Sequence, residues 1–227
     1  MLKHPDRKKW GKWLDRIMDE MLASATDHYV FERWRDVIRG NQAIDFNNRF
    51  VGLIWGSYMD RQALLIRRQL DRDRQAISLA RLMEEIAHYA PQLTRADFLN
   101  AYTRPEYTEA WQQGERFFDL FVDPAAPQMV SAEVVRQHLH ELETASTEFL
   151  VLAGKWLAHS DGARSWPTLT FDNLNACLTL WYRRWEQYRE FVNRSPVDAD
   201  IPQLTGTEWE SVLDIPWRAS GGGGEVQ

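Results

Sequence analysis

From Trp10 to Val192 the apolar residues return every three or four positions, and no stretch shows a convincing two-residue alternation. That period is the signature of amphipathic helices and excludes most sheet architectures. The clearest example is Phe171, Leu174, Leu178, Trp181, Trp185, Tyr188 and Val192, a regular stripe that Thr170 or Phe171 opens. A second seam runs through Val135, Leu139, Leu142, Phe149, Ala153 and Trp156, with Ser131 as its cap and Ser146 as its one polar member. The expected fold is therefore all-α: a single helical bundle over 1–195, followed by an irregular tail over 196–227 that is flexible at its end. Pro196, Pro202, Pro216 and the four glycines at 221–224 mark the change.

The remaining helices follow from stop and start signals. Trp10 to Leu22 predicts a first helix, and Thr26 or Asp27 can cap a second that ends at Gly40-Asn41. A long third helix spans about Phe46 to Leu70, with Phe50, Ile54, Leu64 and Leu65 on its apolar side and Gln62 and Gln69 interrupting the seam. Ser78 caps a fourth, which Pro91 stops; Thr94 to Tyr102 is a short helix, and Tyr107 to Phe121 is another, with Trp111 in its apolar set.

Composition narrows the function. Eleven Trp, ten Phe and seven Tyr put large flat side chains in the core. A net charge of −6 argues against broad, non-specific DNA binding, which depends on neutralising phosphates, but leaves room for a local basic site. The longest apolar runs reach only about half of a membrane span. Cys177 is the sole cysteine and falls in an apolar seam, so it reads as a buried structural thiol. A soluble, cytoplasmic protein that does not engage membranes is expected. No Cys/His spacing suggests a metal, and no Gly-rich phosphate loop or serine elbow appears, so no metal or cofactor is expected. His138 and His140 stand two apart, on opposite sides of a helix, and do not make a metal pair. Glu84, Glu85 and Asp119 read as solvated acids, and Arg183-Arg184 as an exposed basic edge.

Chemistry-bearing residues gather at Lys155-Trp156-Leu157-Ala158-His159-Ser160-Asp161. Lys155 and His159 are four apart and share a helix face. Cleaving RNA without a metal needs a base for the 2′-OH proton, a cation at the phosphate and an acid for the leaving oxygen. His159 can be base or acid, because an imidazole titrates near neutrality. Lys155 can stabilise charge developing on the phosphate, and Asp161 can orient the ring. The same residues can equally finish a helix, with His159 as a favourable cation at its C-terminus. A second cluster, Arg61, Gln62, Arg67, Arg68, Gln69 and Asp71, places polar groups on the inner side of a long helix, where they must be paired or face a cleft. Arg67 and Arg68 face different sides, one buried and the other solvated; they can hold RNA phosphates or close an ion-pair network with Asp60, Asp71 or Glu84. Arg164 is a further candidate RNA contact.

Residues 58–86 (Tyr-Met-Asp-Arg-Gln-Ala-Leu-Leu-Ile-Arg-Arg-Gln through Glu-Glu-Ile), with Lys155–Asp161 and Pro167-Thr-Leu-Thr-Phe-Asp-Asn-Leu, carry a family likeness. Over roughly residues 27–192 the chain resembles the HEPN-like family associated with the U-type abortive-infection phage-resistance system. The resemblance implies an all-helical bundle, often a homodimer, that binds RNA or nucleotides. It implies a phage-defence or toxin-type protein, and His159 as the RNA-cleavage histidine. HEPN ribonucleases carry an Arg a few residues before that His, with a polar neighbour; here Lys155 takes the Arg place and Trp156 the polar one. The alternative is a non-catalytic binding or assembly module, in which the aromatic seams serve a protein partner.

Overall fold

A computed structural model of the chain describes residues 6–40, 49–100, 108–157 and 169–193, without the side chains of 108–110 and 155–157. The fold is all-α. Its helices are α1 (Arg7–Gly40), α2 (Arg49–Gln69), α3 (Leu79–Tyr89), α4 (Arg95–Leu99), α5 (Thr108–Phe118), α6 (Ala132–Val151) and α7 (Phe171–Asn193). Among the described residues there is no strand, only an isolated antiparallel bridge between Thr94 and Met129. None of these helices is long and apolar enough to cross a membrane.

The helix starts lie where the sequence puts them, because each is set by a side chain within one turn. The hydroxyls of Ser78, Thr94 and Ser131 accept from the backbone N–H of Arg81, Asp97 and Val134. Thr170 and Asn173 form a reciprocal box: the Asn173 N–H donates to Thr170 Oγ1 at 3.1 Å, and the Thr170 N–H to Asn173 Oδ1 at 3.1 Å. Pro91 falls in a 3₁₀ turn, Ala90–Gln92, directly after α3.

One expected boundary is absent. Thr26 and Asp27 do not cap a new helix; α1 runs unbroken for 34 residues. Capping needs an extended backbone at the cap, and nothing here forces one, since 12–39 contains neither Gly nor Pro. Ser24 sits buried inside this stretch.

The described residues gather into two compact units, one within 1–21 and 59–198 and the other within 22–58, while the expected tail over 196–227 lies outside the described residues. In the first, α6 packs on both α3 and α7. Trp181 and Tyr188 of α7 are wholly buried, as are Leu82, Met83 and Ile86 of α3. Phe191 stacks on Phe98 at 5.5 Å and meets Phe121 at 4.5 Å. Ser146 of α6 resolves its polarity inside the core: its Oγ accepts from Trp181 Nε1 at 3.0 Å and lies 3.7 Å from Cys177 Sγ. Burial pushes the Cys177 thiol up to about 11, against hydrogen bonds that favour the thiolate, so it is a structural thiol. In the second unit Phe31 and Tyr58 stack at 4.1 Å, nearly parallel, and the Tyr58 hydroxyl shares a 2.6 Å hydrogen bond with His28 Nδ1.

The inner face of α2 differs from the expected one. Phe50 and Leu64 are exposed (49% and 44%), while Tyr58, Gln62, Leu65 and Gln69 are buried. Those four fall on one stripe at helical spacing, so Phe50 and Leu64 lie off the inner side, while the two amides lie on it as expected. Gln69 explains why this is tolerated: its Nε2 donates to Glu20 Oε2 at 2.7 Å, and its Oε1 accepts from the Leu79 N–H at 3.1 Å. Trp111, expected in the α5 seam, is likewise exposed at 38%. Glu85 and Arg184, read as solvent-facing, are instead largely covered partners, while Asp119 is exposed as expected and also pairs. Glu85 holds Lys9 Nζ at 2.6 Å and Trp10 Nε1 at 2.9 Å; Asp119 holds Arg95 at 2.5 Å; Arg184, 12% exposed, donates to Glu141 and to Gln187.

Replacing Gln69 by Leu leaves the Leu79 N–H buried without its acceptor and Glu20 with Arg68 alone. Urea unfolding is expected to show a loss of about 1–3 kcal/mol; an unchanged midpoint would remove Gln69 as a junction.

Candidate functional site

α6 does not end as an α-helix. After Val151 it continues as a π-helical turn, Leu152–Leu157, whose backbone carries Lys155. A π turn widens the helix by shifting its hydrogen bonds by one residue, and such turns recur at functional sites. At its start the Leu152 N–H is shared between the carbonyls of Glu148 and Phe149.

Arg67 reaches this turn from α2. Its Nη1 donates to the Ala153 carbonyl at 3.2 Å, across 86 positions of sequence. Gly154 lies beside it: a Cβ at 154 would stand 3.9 Å from that same nitrogen, ordinary contact distance. Arg67 uses one donor of the five a guanidinium has, so the remainder of the fork is not committed to this bond. A cation at this end of α6 also sits where helix carbonyls favour positive charge.

The other sequence candidates divide. Arg68 is 63% exposed and pairs with Glu20 of α1 at 3.5 Å. Both arginines are exposed, so the expectation that one is buried does not hold. Nor do they close a network with Asp71 or Glu84. Asp71 Oδ1 accepts from the Asp73 N–H in a local turn, and Glu84 pairs with Arg72 at 3.4 Å and Arg81 at 3.8 Å. Helical phase is the reason: the inward stripe of α2 is set by Gln62 and Gln69, which turns Arg67 and Arg68 outward. His159, Asp161 and Arg164 lie outside the described residues. Arg67 and the Lys155-bearing turn are therefore brought together, and Arg68 is directed elsewhere.

Sequence reasoning passed over His138. It is 7% exposed on α6, its Nδ1 shares a 3.2 Å hydrogen bond with the Tyr188 hydroxyl, and Phe121 packs edge-on at 5.9 Å. Burial, then the nearby Arg184, hold its imidazole down at about 4, with Glu141 acting in the opposite sense. Burial also pushes the Tyr188 hydroxyl far up. Burial alone would raise Glu141, but the Arg184 guanidinium outweighs it and holds the carboxyl below its usual range. His138 is thus a neutral core histidine on the same helix, well before its polar end, and too buried for acid–base work. Its place in the apolar seam of α6, three residues after Val135, was the available signal.

Among the described residues no three His, Cys, Asp or Glu side chains converge in a group that could hold a metal. A groove of about 420 Å³ between α3 and α6 has an apolar floor including Met83 and Leu139, and Arg72 spans its rim between Glu84 and Glu143. Those charges satisfy one another. No family model, curated protein or solved structure matches the chain.

His138 gives a pH prediction. Its folded value near 4 lies below the ordinary 6.5, so the unfolded chain binds more protons between those limits. Stability is full above about 6.5 and falls as pH drops towards 4. The wild type should lose about 2 kcal/mol from this group between pH 7 and pH 5. His138→Asn, which keeps a polar partner for Tyr188, should not lose it. Parallel pH profiles for the two proteins would contradict the assignment.

Proposed function

We propose that the chain is a HEPN-like, phage-defence or toxin-type protein that binds RNA at the end of α6 and cleaves it without a metal ion. The observation that carries this reading is the bond between Arg67 and Ala153, which brings a cation from α2 onto the turn bearing Lys155. One helix end supplies only half of a phosphodiester-cleaving site, and Arg67 adds a second element.

The roles follow from the chemistry. His159 takes the 2′-OH proton, or delivers a proton to the leaving 5′-oxygen. The 2′-oxygen attacks the adjacent phosphorus as the 5′-oxygen departs, leaving a 2′,3′-cyclic phosphate and a 5′-hydroxyl. Lys155 and Arg67 stabilise the phosphorane charge, the Arg through a planar fork suited to paired phosphate oxygens. Asp161 orients the imidazole, and Arg164 with Arg68 holds flanking phosphates. For His159, Asp161 and Arg164 the support is sequence spacing and family resemblance.

RNA cleavage in EDTA by the wild type, His159→Ala and Arg67→Ala, each checked by circular dichroism, tests the proposal. His159→Ala should lose at least about 100-fold, and Arg67→Ala about 10-fold or more. Equal cleavage by wild type and His159→Ala, or none by the wild type on varied RNAs, would reject it.

A second reading is a non-catalytic assembly module. Phe50 and Leu53, three apart on α2, are 49% and 63% exposed, more apolar surface than a helix facing only water needs. If they join two copies, Phe50→Glu with Leu53→Glu should convert a dimer to a monomer in light scattering. A wild type that is monomeric at tens of micromolar would exclude it.

A further inference from the structure

The chain has 27 basic residues, yet only five are Lys: Lys3, Lys8, Lys9, Lys12 and Lys155. Everywhere else it uses Arg, and most of the described ion pairs are made by Arg. Four of the five lysines are therefore gathered in the first twelve residues of a chain whose net charge is −6. A random surface scatter would not place them so.

Three of these lysines line one cleft. It has a volume of about 470 Å³ and is bounded by Asp6, Lys8, Lys9, Lys12, Trp13 and Ile77. The roles of the three separate by their partners. Lys9 is committed: its Nζ bonds Glu85 at 2.6 Å and lies 4.4 Å over the Trp13 ring. It neutralises a half-buried carboxylate and fixes the indole by a cation–π contact. Lys8 and Lys12 are exposed and, among the described residues, pair with no carboxylate. They stand one helical turn apart, where like charges repel and weaken the helix. An anion between them reverses the sign of that interaction. Asp6 lines the same cleft but makes no ion pair with either lysine; its Oδ1 accepts from the Lys9 backbone N–H at 3.0 Å and caps α1. Ile77, 44% exposed, adds an apolar surface beside the indole.

Two unpaired ammonium groups beside a fixed indole and an exposed aliphatic side chain offer a phosphate and a flat, apolar ring their separate partners. We propose that this cleft is a binding site for single-stranded RNA, with Lys8 and Lys12 on a phosphate and Trp13 with Ile77 against a base. Stacking on an aromatic side chain with backbone neutralisation is how sequence-tolerant single-strand sites work. The site does not depend on cleavage at the end of α6, and it can exist in a protein with no nuclease activity.

The test is fluorescence anisotropy of a labelled 2′-O-methyl decauridylate, which lacks the 2′-OH and cannot be cleaved, binding to full-length protein at several salt concentrations. The wild type should bind more weakly as salt rises. Lys8→Gln with Lys12→Gln, both at exposed positions, should weaken binding about tenfold and lower the salt slope by about 0.7, the value for one phosphate contact to a single strand. Lys155→Gln should leave that change in slope intact when combined with it. An affinity and slope unchanged in the double variant would overturn the site, as would no binding by the wild type. Phosphatidylserine vesicles serve as the competing arm: capture by vesicles without binding of the oligonucleotide would assign the cleft to an anionic membrane surface and overturn the proposal. Failure of cleavage in EDTA with binding retained would reject the nuclease and leave this site standing.

Discussion

The carboxamide of Gln69 fixes how three helices meet. It takes Glu20 of α1 on one side and the first N–H of α3 on the other, from a position buried to 1% exposure. A buried amide tolerates this only if both its ends are satisfied, so the three helices have little rotational freedom about their axes. Rolling α2 by one residue would bury an apolar group there and strand two polar ones. Ser78 reinforces the same corner, capping α3 and donating back to the Asp71 carbonyl at 2.5 Å. With α3 set, α6 has its packing partner, and α7 packs against α6. The phase of α2 also decides that Arg67 points at the π turn and Arg68 at Glu20. Position 69 thus governs surface chemistry it never touches.

Legibility in the sequence tracked the range of each interaction. Ser78, Thr94, Ser131 and Thr170 were readable as helix starts because their partners lie three residues on. The α7 stripe was readable because burial of Trp181, Trp185 and Tyr188 follows the helical period itself. A stop that is absent is harder to read than one that is present, which is why Thr26 and Asp27 suggested a break that α1 does not make. Gln62 and Gln69 were visible as polar interruptions of a seam, but the partners of Gln69 belong to α1 and α3, and the apolar side was placed partly on Phe50 and Leu64. The site was legible only in outline. Lys155 and Arg67 were singled out separately; the bond from Arg67 to Ala153 in the π turn spans distant sequence, and Leu-Ala-Gly-Lys-Trp-Leu has no local signal for such a turn.

Charge in this protein falls into two regimes. Arg95, Arg184, Arg81 and Lys9 are spent on carboxylates, and the first two are also largely covered. Pairs of this kind specify geometry more than they add stability, because desolvation offsets much of the attraction. Lys8 and Lys12 stand outside that scheme, and Arg67 gives its bond to a carbonyl and not to an acid. They are not alone in this: among the described residues the exposed Arg16, Arg49, Arg74 and Arg183 likewise pair with no carboxylate. An acidic protein can in this way still present anion-seeking points, since screening in salt confines each field to about a Debye length.

The Ser146–Cys177–Trp181 contact makes the chain's one sulfhydryl a clock. Cys177 is 2% exposed and its thiol is held far from ionisation, so a water-borne alkylating reagent meets it only when α6 and α7 separate. No second cysteine competes for the label. The rate of modification then measures how often the core opens, under native conditions and without denaturant. Evolution's choice of a small buried thiol for packing has left the molecule with a built-in reporter of its own breathing.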